Sequence, residues 1–416
     1  MKILIKNIKS LVQVEETPSL KIEGKAMKNL ACIEDAWLAI EDDKIVGFGK
    51  MDDWEGITDW SNLTIIDASD KIVMPSYCDS HTHIVYSGSR EGEFVDRING
   101  LSYEQIFERG GGILNSAKKL ADASEEELVE SALKRLNEIM WQGTGAVEIK
   151  SGYGLSVDAE LKMLRVIKKL KDLSPLTIKA TFLGAHAVPA NLKGDKRKYI
   201  DIIINEMMPK IAAAKLADYC DVFCEQNYFT KEETIEILTA GKKHGMIPKV
   251  HAEQLSNFGG VLAGVEVEAI SVDHLEFVGD KEIAALKGSV TMPTILPGAA
   301  FFLSLPLPPA RKMIDAGLPV AVASDYNPGS SPSGNMNFML SLCCVQYKMT
   351  PEEAINAATI NSAYAMNLSQ THGSIAIGKQ ANVFITKEIP SYSYIPYSFG
   401  SNLIETIILN GKVITE

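Results

Sequence analysis

The stretch KIVMPSYCDSHTH, residues 71–83, joins a short apolar run to two histidines, His81 and His83, that stand two positions apart. An apolar run of this length is typical of a buried β-strand. Because side chains alternate along a strand, both imidazoles point to the same side, which suits two ligands of one ion. The stretch therefore predicts a buried strand that ends in polar side chains.

Seven further apolar, β-rich runs follow along the chain. They are GAVEIKSGYG (145–154), LTIKATFLGAHAVP (176–189), DYCDVFCEQN (218–227), MIPKVHAEQ (246–254), AISVDHLEF (269–277), SVTMPTILPGA (289–299) and LPVAVASDYNPG (318–329). Helix-like stretches such as 156–173, 230–245 and 280–288 separate them, with Ser, Thr or Asp near their starts as caps. Eight strands that alternate with helices predict an α/β fold, a (β/α)8 TIM-type barrel. A doubly wound open sheet is the alternative, but no strand here is followed by a G-x-G-x-x-G turn.

Both ends of the chain have a different character. Residues 1–12, 36–49 and 63–68 alternate β-like runs with turns, and residues 381–388 and 406–416 return to that pattern, with Asn-Gly as a hairpin turn. We predict that strands from the two termini form one small β-sandwich domain, residues 1–70 and 371–416. The barrel then occupies residues 71–370.

Composition and charge limit the class of protein. The chain has 416 residues, of which 46% are hydrophobic, and a formal net charge of -12 without a basic cluster. These values predict a globular protein whose partner is a small-molecule substrate, and they argue against nucleic acid, because nothing neutralises phosphates. No stretch is long and apolar enough to span a membrane, so the expected location is cytoplasmic. The six cysteines do not resemble a disulfide framework, and we expect free thiols.

In a TIM-type barrel the functional groups lie at the carboxyl ends of the strands. Five of the seven histidines and one aspartate fall there: His81, His83, His186, His251, His274 and Asp325. Neutral imidazoles and a carboxylate that converge on one point are typical ligands of a divalent metal. We predict one divalent ion per chain, zinc or iron, held by His81, His83, His251 and Asp325, with room for one water. His274 and Asp325 are the candidate bases for that water. His244 and His372 are expected at the surface.

The chain resembles the amidohydrolase superfamily of metal-dependent hydrolases in three features. They are the motif DSHTH at the end of strand 1, the histidines that end strands 5 and 6, and the aspartate that ends strand 8. The terminal β unit resembles the companion domain of that superfamily. Narrower motifs, EIKSGYGL (148–155) and SDYNPGSSP (324–332), resemble the members that act in histidine degradation. The resemblance implies hydrolysis of the cyclic amide of 4-imidazolone-5-propanoate to N-formimidoyl-L-glutamate, and it covers almost the whole chain.

The resemblance also implies substrate-binding roles. An arginine suits the propionate tail, and Arg90, seven residues after His83, lies in the loop that follows strand 1. Tyr103 and Tyr153 are expected to donate hydrogen bonds from their hydroxyls. His186 and Gln254 are expected to contact the imidazolone ring. The pocket above the metal is expected to be shaped by Asn327, Gly329 and Ser330.

Two departures from the superfamily pattern matter. Many deaminases carry a glutamate three residues after the strand-5 histidine, where this chain has Gln254, which cannot titrate. Glu253 is therefore a weaker catalytic candidate, for protonating the leaving nitrogen, although alternation aims it away from His251. Two-metal relatives carry a lysine at the end of strand 4, and this chain has none there, which favours a single ion.

Several alternatives stay open in the sequence. Lys150 either lies near substrate or pairs with Glu148, and Glu225 has a possible role from strand 4. A deaminase of an amino-heterocycle and an inactive scaffold of the same fold compete with the hydrolase. A homodimer is expected from the frequency of two-fold oligomers alone.

Overall fold

The computed structural model describes residues 1–56, 61–101, 105, 109 and 111–415. In chain order its strands are β1 (Lys2–Val12), β2 (Cys32–Glu41), β3 (Lys44–Lys50), β4 (Leu63–Asp67), β5 (Ile72–Pro75), β6 (Tyr77–Thr82), β7 (Thr144–Lys150), β8 (Thr177–Ala185), β9 (Tyr219–Cys224), β10 (Ile247–Ala252), β11 (Ser271–His274), β12 (Met292–Ile295), β13 (Ala321–Val322), β14 (Val383–Thr386), β15 (Ile404–Leu409) and β16 (Lys412–Val413).

The α-helices are Glu91–Ile98, Ile113–Asp122, Glu125–Trp141, Val157–Leu173, Lys196–Ile202, Met208–Ala213, Lys231–Lys243, Gly260–Glu266, Asp280–Leu286, Pro297–Leu303, Ala310–Asp315, Met336–Val345, Pro351–Asn356, Ser362–Ala365 and Tyr394–Tyr397. Short 3-10 turns occur at Gly24–Lys28, Met51–Asp53 and Ala190–Leu192, and π-helical turns at Ile203–Met207 and Ala357–Asn361. None of the described helices combines the length and hydropathy that a bilayer-spanning segment needs.

Strands β6 to β13 form a nearly closed parallel barrel, which confirms the predicted fold. They pair in chain order, and each lies beside the next. The last gap is bridged at the carboxyl ends, where the amide of Asp325 donates to the carbonyl of His81 at 3.0 Å and the amide of His83 donates to the carbonyl of Tyr326 at 2.9 Å. Closure of the barrel therefore sets His81 and His83 beside Asp325.

The helices around the barrel begin where the sequence places their caps. The Ser156 hydroxyl accepts from the amide of Ala159 at the start of helix Val157–Leu173. Thr230 and Glu233 form a reciprocal capping box at the start of helix Lys231–Lys243. Buried residues recur at helical spacing on the faces that these helices turn to the barrel. The strands are consequently covered outside, and solvent reaches the polar strand ends from one side.

The terminal strands form a second, mixed sheet with the order β16-β15-β14-β5-β1-β2-β3, and β4 pairs with β1. Strand β5 pairs with β1 on one side and with β14 on the other. The stretch 71–83 is therefore two strands, because the chain leaves the terminal sheet at β5 and enters the barrel at β6. The amide of Ser76 between them donates to the carbonyl of Asn382 at 2.9 Å. The domain boundaries at 70/71 and 370/371 stay predictions.

Two expectations about single residue types have different outcomes. All six cysteines are free, as predicted. His372 is not a surface residue, because it is only 7% exposed. Its Nε2 lies 2.9 Å from the hydroxyl of Thr177 on β8, and its Nδ1 lies 2.8 Å from that of Thr371. Burial, reinforced by the nearby ammonium groups of Lys379 and other lysines, lowers the pKa of His372 to about 4.

Replacing His372 by glutamine is expected to make the free energy of unfolding depend less on pH in the acid range. Because the folded pKa of about 4 lies below the unfolded value, protonation favours the unfolded state. Above the unfolded pKa of about 6.5 the His372 ring is neutral in both states and does not change the free energy of unfolding. As the pH falls toward 4, protonation of His372 in the unfolded state lowers that free energy by about 3 kcal/mol. Urea unfolding at several pH values measures this slope. An identical slope in the variant would contradict the assignment.

Candidate metal and substrate site

Four histidines and one aspartate converge at the carboxyl ends of the barrel strands. The His81 ring lies 4.4 Å from that of His251, 5.3 Å from that of His83 and 5.5 Å from that of His274, measured between ring centroids. Two sets of donor atoms each lie within 4.8 Å of one another: His81, His251 and His274, and His81, His83 and Asp325. All five side chains are buried.

Carboxylates lie against two of the imidazoles. His81 Nδ1 forms a hydrogen bond of 2.7 Å with Asp273 Oδ2, whereas His251 Nδ1 lies 3.0 Å from Asp221 Oδ2 in a close polar contact that lacks hydrogen-bond geometry. Because an ionised carboxylate only accepts, His81 Nδ1 carries the proton and its Nε2 keeps a free lone pair, and the carboxylate of Asp221 favours the same tautomer for His251. Nε2 of His81 and of His251 have no hydrogen-bond partner among the described residues. Such orphaned, buried acceptors fit a metal ion.

Asp325 presents one carboxylate oxygen to the same point. Its Oδ2 accepts from the hydroxyl of Ser330 at 3.0 Å, while its Oδ1 lies 3.5 Å from His81 Nε2 and 3.6 Å from His83 Nε2. Asn327 fixes this loop, since its Oδ1 accepts from the amides of Gly329 and Ser330 at 2.8 Å each. Together the two sets of donor atoms offer imidazole nitrogens and a carboxylate oxygen, which are donor types that suit zinc, iron or manganese.

Burial and charge set the protonation of these groups. Burial, together with neighbouring positive charge, lowers the pKa of His81 and of His83 well below the usual value, so both rings are neutral. His274 differs. Burial lowers its pKa as well, but the carboxylates of Glu276, whose Oε1 lies 3.6 Å from His274 Nδ1, of Asp325 and of Asp273 together outweigh that effect and raise the pKa. His274 therefore holds a proton more readily than His81 or His83.

The backbone is unusual at the same strand ends. The φ angles of Glu253, His274 and Asp325 are 51°, 93° and 55°, in the left-handed region that residues with a Cβ seldom adopt. Such conformations persist where surrounding contacts fix them, and they concentrate at functional sites. The turn at His274 ends β11 and the turn at Asp325 follows β13, so each side chain leaves its strand toward the centre of the barrel mouth.

A cavity of about 450 Å³ opens above the histidine cluster. Most of the predicted site residues line it: His83, Arg90, Tyr153, His186, Gln254, His251, His274, Asp325, Asn327, Gly329 and Ser330. Arg90 donates from Nε and Nη2 to one oxygen of Glu93, at 2.9 and 2.6 Å, which leaves its Nη1 free of that pair. Gly329 allows this arrangement, because a Cβ there would lie 2.1 Å from Arg90 Nη1.

A buried glutamate shapes the wall that carries Tyr153. Glu160 accepts from the amides of Gly152, Gly154 and Leu155, at distances of 2.7 to 3.2 Å. The carbonyl of Gly152 in turn lies 3.0 Å from His186 Nδ1, so this nitrogen donates and Nε2 is an acceptor. Burial lowers the pKa of His186 to about 3, which keeps the ring neutral.

The loop after β10 separates two neighbouring residues. Gln254 lines the cavity, whereas the Glu253 carboxylate turns away and accepts from the amides of Gly259 and Val261, at 2.9 Å each. Burial raises the pKa of Glu253 to about 7. Glu225 holds the same loop, because its Oε2 accepts from the amides of Leu255 and Ser256. Glu225 thus supports the loop and does not line the cavity.

Comparisons with known proteins agree with this site. The model of the amidohydrolase family matches residues 72–414. An imidazolonepropionase from Christiangramia forsetii is 59% identical over 414 residues, which is 100% of each chain. The chain belongs to the imidazolonepropionase family. Solved structures of Escherichia coli guanine deaminase and of a zinc-bound adenosine deaminase from Xanthomonas campestris share the fold. The guanine deaminase has a TM-score of 0.76 and 13% identity, and the match covers 100% of this chain and 99% of that chain. The adenosine deaminase has a TM-score of 0.69 and 14% identity, and the match covers 99% of this chain and 92% of that chain.

Membership in the imidazolonepropionase family makes this chain a hydrolytic enzyme of the metal-dependent amidohydrolases. Tyr103 lies outside the described residues. Glu93 and Arg97 also line the cavity with Arg90, and neither was predicted from the sequence. Positions 90, 93 and 97 recur at helical spacing, which places them on one face of helix Glu91–Ile98 and its cap. Glu276 was not predicted either, because it follows the end of β11 at His274, where the alternation of side chains along the strand no longer applies.

Proposed function

We propose that this enzyme hydrolyses 4-imidazolone-5-propanoate to N-formimidoyl-L-glutamate. One observation carries the proposal: a single cavity is lined both by the convergent histidine and aspartate donors and by the guanidinium of Arg90. The donors suit chemistry at a cyclic amide, and the guanidinium suits the carboxylate of a propionate tail. The names of the full-length relatives support the same substrate.

We propose that one divalent ion, zinc or iron, is held by His81, His83, His251 and Asp325. A divalent ion bound there polarises the substrate carbonyl and lowers the pKa of a water. The two donor sets share His81, which supports one ion in place of two.

His274 is proposed to move the protons of the reaction. As a base it takes a proton from water while the hydroxyl oxygen bonds to the ring carbonyl carbon. The carbon–nitrogen bond then breaks, the carbon becomes a carboxylate, and the nitrogen receives the proton. Glu276 stabilises the charged imidazole, and Asp325 is the second proton acceptor. Glu253 is a less favourable donor, because its carboxylate is held by backbone amides outside the cavity lining.

The remaining predicted residues are proposed to hold the substrate. Arg90 binds the propionate, and His186 accepts from a ring N–H through Nε2. Tyr153 donates a hydrogen bond from its hydroxyl to the substrate, since burial raises the pKa of that hydroxyl and keeps it protonated. Gln254, Asn327, Gly329 and Ser330 shape the pocket, and Tyr103 is proposed as a further hydroxyl donor.

Replacing Arg90 by glutamine is expected to raise KM about 10- to 100-fold, with a smaller change in kcat. A hydrogen bond to a charged group contributes about 1.5–3 kcal/mol, and the propionate is remote from the reacting bond. Steady-state kinetics measure both constants. Arg109→Gln is the matched control, because Arg109 is mostly exposed and pairs with Asp96. An unchanged KM in Arg90→Gln would remove Arg90 from substrate binding.

The substrate assignment is tested with freshly prepared imidazolone propionate. We expect its ultraviolet absorbance to disappear, with formimidoylglutamate as product and without release of ammonia. Ammonia released from an amino-heterocycle such as guanine, with imidazolone propionate unchanged, would instead identify a deaminase.

We propose that the enzyme works in the cytoplasm, because six free thiols fit a reducing compartment. A homodimer is proposed from the prevalence of two-fold pairs among soluble oligomers, and sedimentation of the purified chain tests it.

A further inference from the structure

Five charged side chains lie inside the barrel beneath the histidine cluster. They are Glu148 and Lys150 on β7, Asp221 on β9, Lys249 on β10 and Asp273 on β11, and we call them the buried charge cluster. Each is at most 1% exposed. Barrel interiors are usually filled by layers of branched apolar side chains, so five charges here call for a physical reason.

The cluster contacts the predicted metal ligands directly. The two carboxylates that face imidazole Nδ1 atoms both belong to it: Asp273 hydrogen-bonds His81 at 2.7 Å, and Asp221 lies 3.0 Å from that atom of His251. His81 and His251 come from strands β6 and β10, which are not neighbours in the barrel. If both rings are to point at one ion, some group in the barrel interior must therefore fix the positions of the two carboxylates relative to each other.

Lys150 is that group. Its ammonium donates to Asp221 Oδ2 at 2.8 Å and to Glu148 Oε1 at 2.5 Å, and it lies 3.8 Å from Asp273 Oδ2. These Oδ2 atoms are the same oxygens that face the two imidazoles. Lys249 completes the arrangement, because it pairs with Glu148 and donates to the carbonyl of Ser80 at 2.9 Å, next to His81.

Stability alone does not explain such a network. Taking ions out of water is costly, and replacement of a buried ion pair by apolar residues is often neutral or stabilising. The arrangement instead holds in place the two carboxylates that face His81 and His251. Outer partners that orient metal-binding histidines in this way commonly contribute 10- to 100-fold to metal affinity.

We propose that Lys150 is a positioning residue which, through Asp221 and Asp273, fixes the orientation of His81 and His251 together. The inference rests on the proposed metal ligation by these two histidines. Lys150 itself touches neither substrate nor metal in this assignment, and the alternative that it contacts substrate is set aside, because all its contacts here are with carboxylates below the cavity.

Metal affinity of the purified full chain tests the proposal without using turnover. Zn²⁺ is titrated against a competing chelator for the original chain, for Lys150→Met and for the pair Glu148→Gln/Lys150→Met, which leaves the net charge of the buried charge cluster unchanged and so guards against misfolding from an added buried charge. Lys379→Met is the matched control, since Lys379 is also buried but binds Ser374 and the carbonyl of His372 in another part of the molecule.

We expect both Lys150 variants to bind Zn²⁺ about 10- to 100-fold more weakly, and Lys379→Met to bind as the original chain does. With Co²⁺ in place of Zn²⁺, the visible absorption bands should shift in the Lys150 variants only. Unchanged affinity and spectrum in a folded Lys150 variant would overturn the positioning role alone. Absence of Zn²⁺ binding by the original chain would overturn the proposed ligation, which is a separate failure.

Discussion

Replacing His274 by glutamine is expected to lower kcat by about 10²- to 10⁴-fold while the metal content of the protein stays unchanged. The range is that of a lost general acid–base group. His274 is the imidazole whose pKa the Glu276 carboxylate raises, whereas the pKa values of His81 and His83 are lowered. Steady-state kinetics and metal analysis of the same preparations measure the two quantities.

The metal analysis decides between two roles for His274. Its ring also belongs to a donor set with His81 and His251 that could hold an ion. If His274→Gln loses both activity and metal, His274 is a ligand, and the base must be sought at Asp325. His244→Gln is the matched control, because His244 ends helix Lys231–Lys243 outside the cavity, and this variant should keep both kcat and metal.

Removal of the metal is expected to abolish turnover completely, and one equivalent of Zn²⁺ or Fe²⁺ per chain should restore it. Nε2 of His81 and of His251 has no hydrogen-bond partner among the described residues, so we expect both atoms to serve the metal. Dialysis against a chelator, followed by titration with each ion, measures the recovery.

The stoichiometry carries equal weight. Recovery that reaches its maximum only at two equivalents would contradict the single-ion site, and full activity of metal-free protein would contradict metal dependence. Asp325→Ala should behave as the metal-free protein does, with no recovery at one equivalent, because the variant lacks a ligand and the second proton acceptor.

The eight barrel strands and the histidines at their ends could be predicted because both are local patterns. The apolar runs that precede His81, His251 and His274 each indicate a buried strand, and the histidine indicates where that strand ends. The position of the site then follows from the fold class alone.

Contacts between distant strands could not be predicted in this way. Asp273 lies 192 positions from His81, and nothing in either motif specifies that their side chains meet. The split of residues 71–83 between two sheets is equally invisible, because β5 and β6 form one continuous apolar run in sequence. Burial of His372 depends on how the terminal sheet packs against β8, which no local pattern records.

The terminal sheet also constrains how the protein is made. Strand β5 emerges early in translation, yet its partner β14 is synthesised only after the entire barrel. Until then the β14 side of β5 is an open edge whose unpaired amides and carbonyls can recruit another chain. Nascent or C-terminally shortened chains should therefore depend on a chaperone that covers this edge, even when the barrel itself has already folded.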